Sequence, residues 1–61
     1  MARILVIDDQ PFVRDVLGKL LESAGHEVVE AEDGIAGAGL FRRHPCDLIL
    51  CDIFLPRESG L

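Results

Sequence analysis

Arg3-Ile4-Leu5-Val6-Ile7-Asp8-Asp9 is an unbroken aliphatic, mostly β-branched run closed by two consecutive carboxylates. No polar residue alternates with the apolar ones, which is the pattern of a parallel strand buried on both faces rather than of a half-solvated one. A strand of that kind needs neighbours on either side and a layer above and below it. The sequence downstream supplies both. From Pro11 the apolar period changes: Val13, Val16, Leu17, Leu20, Leu21 and Ala24 recur at helical spacing and form one stripe, while Arg14, Asp15, Lys19 and Glu22 are expected in solvent. Pro11 suits a first helical turn, where its missing N–H removes no bond, and Gly25 supplies a left-handed stop.

The stretch at residues 26–31, His-Glu-Val-Val-Glu-Ala, is a shorter strand whose two glutamates suit a sheet edge. Asp33 is placed to cap a second helix that runs to about Arg43, with the two terminal arginines at the negative end of its dipole. Gly37 and Gly39 weaken that helix, each by about 1 kcal/mol relative to Ala. Pro45 ends it, and residues 46–52, Cys-Asp-Leu-Ile-Leu-Cys-Asp, form a third aliphatic strand. The order is β-α-β-α-β, with helical connections of the length that parallel crossovers require. The first strand is more apolar than the second and belongs in the middle, giving a strand order 2-1-3 with one helix on each face. In that order the chain direction reverses between strands 1 and 3, and their C-terminal ends flank a crevice of the kind that binds ligands in open α/β sheets.

The charge balance narrows the function. Six Lys and Arg against eleven Asp and Glu leave a net charge of −5, which disfavours a nucleic-acid or anionic-membrane surface. The apolar run at residues 4–7 is far too short for a signal-peptide core or a membrane span, so a soluble, cytoplasmic protein is expected. Two cysteines, Cys46 and Cys51, are set on one strand by this reading, too far apart to bridge, and their spacing suggests no zinc site. Asp8 and Asp9 end strand 1 and Asp52 ends strand 3, so the topology gathers three carboxylates at the crevice. Such crowding is relieved by a hard cation, and an all-oxygen, water-accessible set suits Mg²⁺. Asp9 before a helix could equally serve as a cap, and Asp52 after a strand as a turn residue.

Four segments, Val6-Ile-Asp-Asp9, Gly25-His-Glu-Val28, Ala31-Glu-Asp-Gly34 and Asp47-Leu-Ile-Leu-Cys-Asp-Ile-Phe-Leu-Pro56 followed by Gly60, together resemble a response-regulator receiver domain of two-component signalling. The resemblance implies a flavodoxin-like α/β fold and a signalling phosphoacceptor rather than an enzyme. It implies that Asp52 takes a phosphoryl group from a histidine kinase or phosphotransfer protein. Asp8, Asp9, Asp52 and the backbone carbonyl of Phe54 would hold Mg²⁺, with Asp9 the more direct ligand of the acidic pair. Pro56 and Gly60 would shape the loop after the acceptor, and the Phe54 ring would slow loss of the phosphoryl group by hindering water.

Receivers continue through two more strands and three more helices, which contribute a Ser or Thr, a Lys and a switching aromatic. Residues 1–61 carry no counterpart of these; Ser59 is wrongly placed and Lys19 lies on a solvated helix face. Gly37 and Ala38 stand where the family has larger residues, which is expected to loosen the core. The chain is therefore expected to be the N-terminal half of a receiver, a βαβαβ half-domain with impaired relay. Strand 3 would be an unprotected apolar edge, and so small a core rarely stands alone. Self-association is the expected remedy, as a homodimer through strand 3. A structural half-domain that dimerises without phosphotransfer, and a Mg²⁺-dependent phosphohydrolase, are the alternatives.

Overall fold

The computed structural model of the protein describes residues 1–51. They form β1 (Arg3–Ile7), α1 (Pro11–Ser23), β2 (Glu27–Ala31), α2 (Gly34–Arg43) and β3 (Leu48–Cys51). The three strands make one parallel sheet in the order β2-β1-β3, the order expected from the greater apolarity of the first strand. Burial follows that order. Ile4, Leu5 and Val6 on β1 are 3%, 1% and 1% exposed, because each is flanked by a strand on both sides. The register sets Arg3 to Ile7 against Glu27 to Ala31, and Ile4 to Ile7 against Leu48 to Cys51.

The helices pack on opposite faces of this sheet. Gly18 of α1 lies against Val28 and Glu30, whereas Gly37 of α2 lies against Ile7 and Ala31; residues 28 and 30 of a strand project opposite to residue 31. Gly25, with φ +93, supplies the left-handed stop after α1, and its N–H donates to the Glu22 carbonyl at 2.9 Å. Asp33 caps α2, accepting from the Ala36 N–H at 2.8 Å. The turn chemistry legible in the sequence thus fixes both helix boundaries.

Two packing expectations change. Only Val13, Leu17 and Leu21 of the α1 stripe are half-buried, whereas Val16, Leu20 and Ala24 are exposed. The most deeply buried α1 residue is Gly18, so the docked face is shifted from the centre of the apolar stripe toward its Arg14–Gly18 flank. A Cβ at Gly18 would stand 2.6 Å from Glu30 Oε2, the movable end of a half-exposed side chain, and in ordinary contact with Val28 Cγ1 at 3.8 Å, so glycine there makes room for the Glu30 carboxylate along that flank. Gly37, expected with Ala38 to loosen the core, does leave a cleft of about 380 Å³ lined by Leu5, Ile7, Gly37, Ala38 and Phe41, but it also permits a close approach. A Cβ there would meet Ile7 Cδ1 at 2.6 Å and Ile7 Cγ1 at 3.1 Å, so Ile7 fills the space that a side chain would take.

The lower end of the sheet, at the N-terminus of β1, is tied on both sides. On the β2 side, the Ala2 N–H donates to His26 Nδ1 at 3.1 Å and the Glu27 N–H to the Ala2 carbonyl at 2.8 Å. On the β3 side, the Arg3 N–H donates to Asp47 Oδ2 at 2.9 Å while the Asp47 N–H donates to the Arg3 carbonyl at 2.8 Å. Arg3 Nε lies 3.2 Å from Glu27 Oε1, close enough for an ion pair but not aligned for a hydrogen bond. Cys46 precedes β3 rather than lying on it; its thiol donates to the His44 carbonyl, and both cysteines are free.

Candidate functional site

The upper end of β1 carries the acidic pair. The ladder to β2 ends at the Ile7–Ala31 pair, and Asp8 extends one step beyond it, its N–H donating to the Ala31 carbonyl at 3.1 Å. Asp8 is only 4% exposed. Its Oδ1 accepts from the Gln10 N–H at 2.9 Å, an Asx turn that swings the chain from strand into helix. A buried carboxylate ordinarily requires a cationic partner. Among the described residues no ion pair reaches Asp8; Arg14, the nearest candidate, donates to its backbone carbonyl instead.

Asp9 is exposed, and it is not the helix cap. The N-cap of α1 is Gln10, and no side chain caps it. Among the described residues Asp9 accepts no hydrogen bond and joins no ion pair. The capping role that its position before a helix allowed is therefore not taken, and its carboxylate stays available. A cleft of about 610 Å³ lies between α1 and β3, lined by Val6, Asp8, Val13, Leu17, Leu50 and Cys51; Asp8 borders it and Asp9 does not. Apart from Asp8 and Cys51 its lining is aliphatic, so it is the sheet face beside α1; the crevice expected where the strand order reverses draws on residues after Cys51, outside those described.

β3 brings the chain up to Cys51, which is in register with Ile7. Asp52, Phe54, Pro56, Ser59 and Gly60 lie outside the described residues, so only the Asp8 and Asp9 part of the expected oxygen set is seen. No group of three or more His, Cys, Asp or Glu that could hold a metal ion occurs among the described residues.

The sequence matches the response regulator receiver domain family over residues 4–61. The chain belongs to that family. Three curated relatives illustrate its range. The chain is 45% identical over 60 residues to the DNA-binding dual master transcriptional regulator RpaA of Synechocystis, covering 98% of this chain and 25% of that protein. It is 43% identical over 60 residues to protein PilH of Pseudomonas aeruginosa, covering 98% of this chain and 50% of the relative. Against the chemotaxis protein CheY of Halobacterium salinarum it is 30% identical over 59 residues, 97% of this chain and 49% of the relative. The chain thus spans between a quarter and a half of these proteins. Receivers are phosphoacceptor signalling modules of two-component systems, and the βαβαβ sheet in the order 2-1-3 fits their flavodoxin-like fold. No described helix of this receiver is long and apolar enough to cross a membrane.

One residue at the site escapes a sequence reading. Arg14 falls among the helix positions expected in solvent, yet its side chain is 20% exposed where that of Lys19 is 76% exposed. Its Nη1 donates to the Asp8 carbonyl at 2.7 Å, and its Nε lies 3.9 Å from Glu30 Oε1. A signal for it existed in the pattern. Arg14 and Gly18 lie one helical turn apart on the same face, and a glycine inside a helix can mark a close approach, as Gly18 does and Gly39 of α2 does not.

Proposed function

We propose that this receiver takes a phosphoryl group onto Asp52 from a histidine kinase or phosphotransfer protein, with Mg²⁺ held by Asp8, Asp9, Asp52 and the Phe54 carbonyl. The observation that carries the reading is the state of the acidic pair. Asp8 is buried without a cationic side chain on its carboxylate, and Asp9 is neither cap nor ion-pair partner, at the C-terminal end of the central strand. Hard carboxylate oxygens beside an open cleft suit a hydrated divalent ion that takes few protein ligands.

In the transfer, a carboxylate oxygen of Asp52 attacks phosphorus. The new O–P bond forms as the P–N bond to the donor imidazole breaks, and the imidazole leaves with the bonding electrons and takes up a proton. When bound, Mg²⁺ supplies charge neutralisation between the anionic nucleophile and the anionic phosphoryl group. Asp8 and Asp9 would hold that charge in place, and the Asx turn fixes Asp8 at the edge of the cleft. The acyl phosphate adds about 1.5 to 2 negative charges at one point on the crevice wall. An apolar residue at position 54 would slow its loss by hindering water, or would only pack against its own loop; a faster-decaying Phe54→Asn distinguishes the two. The setting is the cytoplasm, and the module acts as a signal carrier and not as a catalyst of turnover.

Residues 1–61 form the N-terminal half of the receiver fold in this reading. A second reading, a structural unit that associates through β3, draws on a specific observation: Leu48 and Ile49 of β3 are 50% and 46% exposed. β3 pairs only with β1 among the described residues. An antiparallel pairing of β3 with its copy would cover that edge in a two-fold homodimer. Incubation with Mg²⁺ and acetyl phosphate followed by intact-mass measurement separates the two. An adduct of one phosphoryl group that disappears in Asp52→Asn supports the acceptor reading. No adduct in a folded protein that sediments as a dimer supports the structural one, and continuous phosphate release would indicate a hydrolase.

A further inference from the structure

We propose that Arg14 is a positioning residue for the acidic pair, holding the Asp8–Asp9 peptide plane while Glu30, laid across Gly18, holds the guanidinium. The inference rests on the reading of Asp8 and Asp9 as cation ligands. The Asp8 carbonyl lies beyond the last β1–β2 ladder pair, and the Arg14 Nη1–H takes it at 2.7 Å. A charge-assisted bond of that length is among the stronger ones available to a backbone carbonyl. The carbonyl of Asp8 and the N–H of Asp9 share one rigid plane. Asp9 has no side-chain bond of its own among the described residues, so its carboxylate is aimed by its backbone. Arg14 fixes that backbone.

On the β2 side the guanidinium meets Glu30 in a loose ion pair, beyond hydrogen-bond distance. Glu30 Oε1 lies 3.9 Å from Arg14 Nε, and Glu30 Oε2 occupies the place where a Gly18 side chain would begin, 2.6 Å from an ideal Cβ. Glycine at 18 therefore lets the glutamate lie flat along the helix and reach the arginine one turn away. Arg14 joins three elements in this way: the end of β1, the first turns of α1, and β2.

Electrostatics and positioning predict opposite signs, which makes the proposal testable. Arg14 is a cation close to a cation site, so removing its charge alone would tighten binding of a divalent ion. Loss of positioning would weaken it. Free Mn²⁺, counted by electron paramagnetic resonance in titrations with the protein, reads the affinity; the ion shares the oxygen preference of Mg²⁺. Arg14→Ala is expected to weaken Mn²⁺ binding about tenfold, the scale on which loss of outer partners affects metal sites. Arg14→Lys, which keeps the charge and one donor, recovers part of that loss. Gly18→Ala leaves every charge in place but displaces Glu30; it is expected to raise helix stability while weakening Mn²⁺ at least twofold. A merely structural role for Arg14 would not produce that opposition.

A metal-free measurement separates this proposal from the cation reading. The amide nitrogen resonance of Asp9, attached to the carbonyl that Arg14 holds, should move in Arg14→Ala and in Gly18→Ala without any ion present. If the parent protein binds no Mn²⁺, the cation reading fails and the Asp9 resonance alone decides whether Arg14 sets the peptide plane. Unchanged or tighter Mn²⁺ binding in Arg14→Ala, or an Asp9 amide that does not move, overturns the proposal. Should Arg14→Ala fail to fold, Arg14→Lys and Gly18→Ala carry the same comparison.

Discussion

The two ends of β1 use the same chemistry for opposite purposes. At the lower end, the Asp47 carboxylate and the His26 ring are both engaged by backbone N–H groups of residues 2 and 3. At the upper end, Asp8 gives one oxygen to the Gln10 N–H, and Asp9 gives none to any described residue. A strand end closed by side chains stabilises the sheet. One that leaves a carboxylate unengaged, beside a second buried one, instead keeps oxygen ligands available to a cation. The contrast teaches where this small sheet invests in stability and where it leaves free energy to be released on binding.

The comparison can be broken at its common support. Leu5 lies midway between the ends and is fully buried, so Leu5→Ala should cost about 2 to 5 kcal/mol. Urea unfolding followed by circular dichroism would read this, and a loss below about 1 kcal/mol would mean that the ends hold the sheet without its centre. A crossed pair of substitutions sharpens the contrast. Asp9→Asn should weaken Mn²⁺ binding at least about tenfold and leave stability within about 0.5 kcal/mol. Asp47→Ala should do the reverse, costing about 1 kcal/mol for the lost bond to Arg3 with Mn²⁺ affinity unchanged. Equal effects of the two on affinity would erase the distinction between the ends. The smallest effect belongs to a charge pair far from both. Lys19→Ala removes an exposed contact to Asp15 of 3.2 Å and should change stability by less than about 0.5 kcal/mol, a difference that added salt abolishes.

The glycines mark how far a sequence reading goes. Gly25 was legible as a stop because a left-handed residue after a helix needs no knowledge of what lies nearby. Gly37 and Gly18 were not legible in the same way. Their helix cost is visible locally, but their value lies in Ile7 and Glu30, which stand far along the chain and come close only in the folded sheet. Arg14 shows a related limit: helical periodicity assigns a face by counting apolar residues, whereas the docked face of α1 takes in Gly18 and the arginine one turn before it.

Local patterning alone settled the elements, their order, the central place of β1, and the position of Asp8 and Asp9 at its carboxyl end. These follow from short-range propensities and from an apolarity that puts β1 rather than the glutamate-bearing β2 in the middle. The folded arrangement alone decided that Asp9 is no cap, that Asp8 is buried without a counter-ion on its carboxylate, and that Arg14 grips the backbone between them. Such facts depend on the exact approach of α1 to β2, and that distance is a property of contacts between residues that no stretch of sequence holds together.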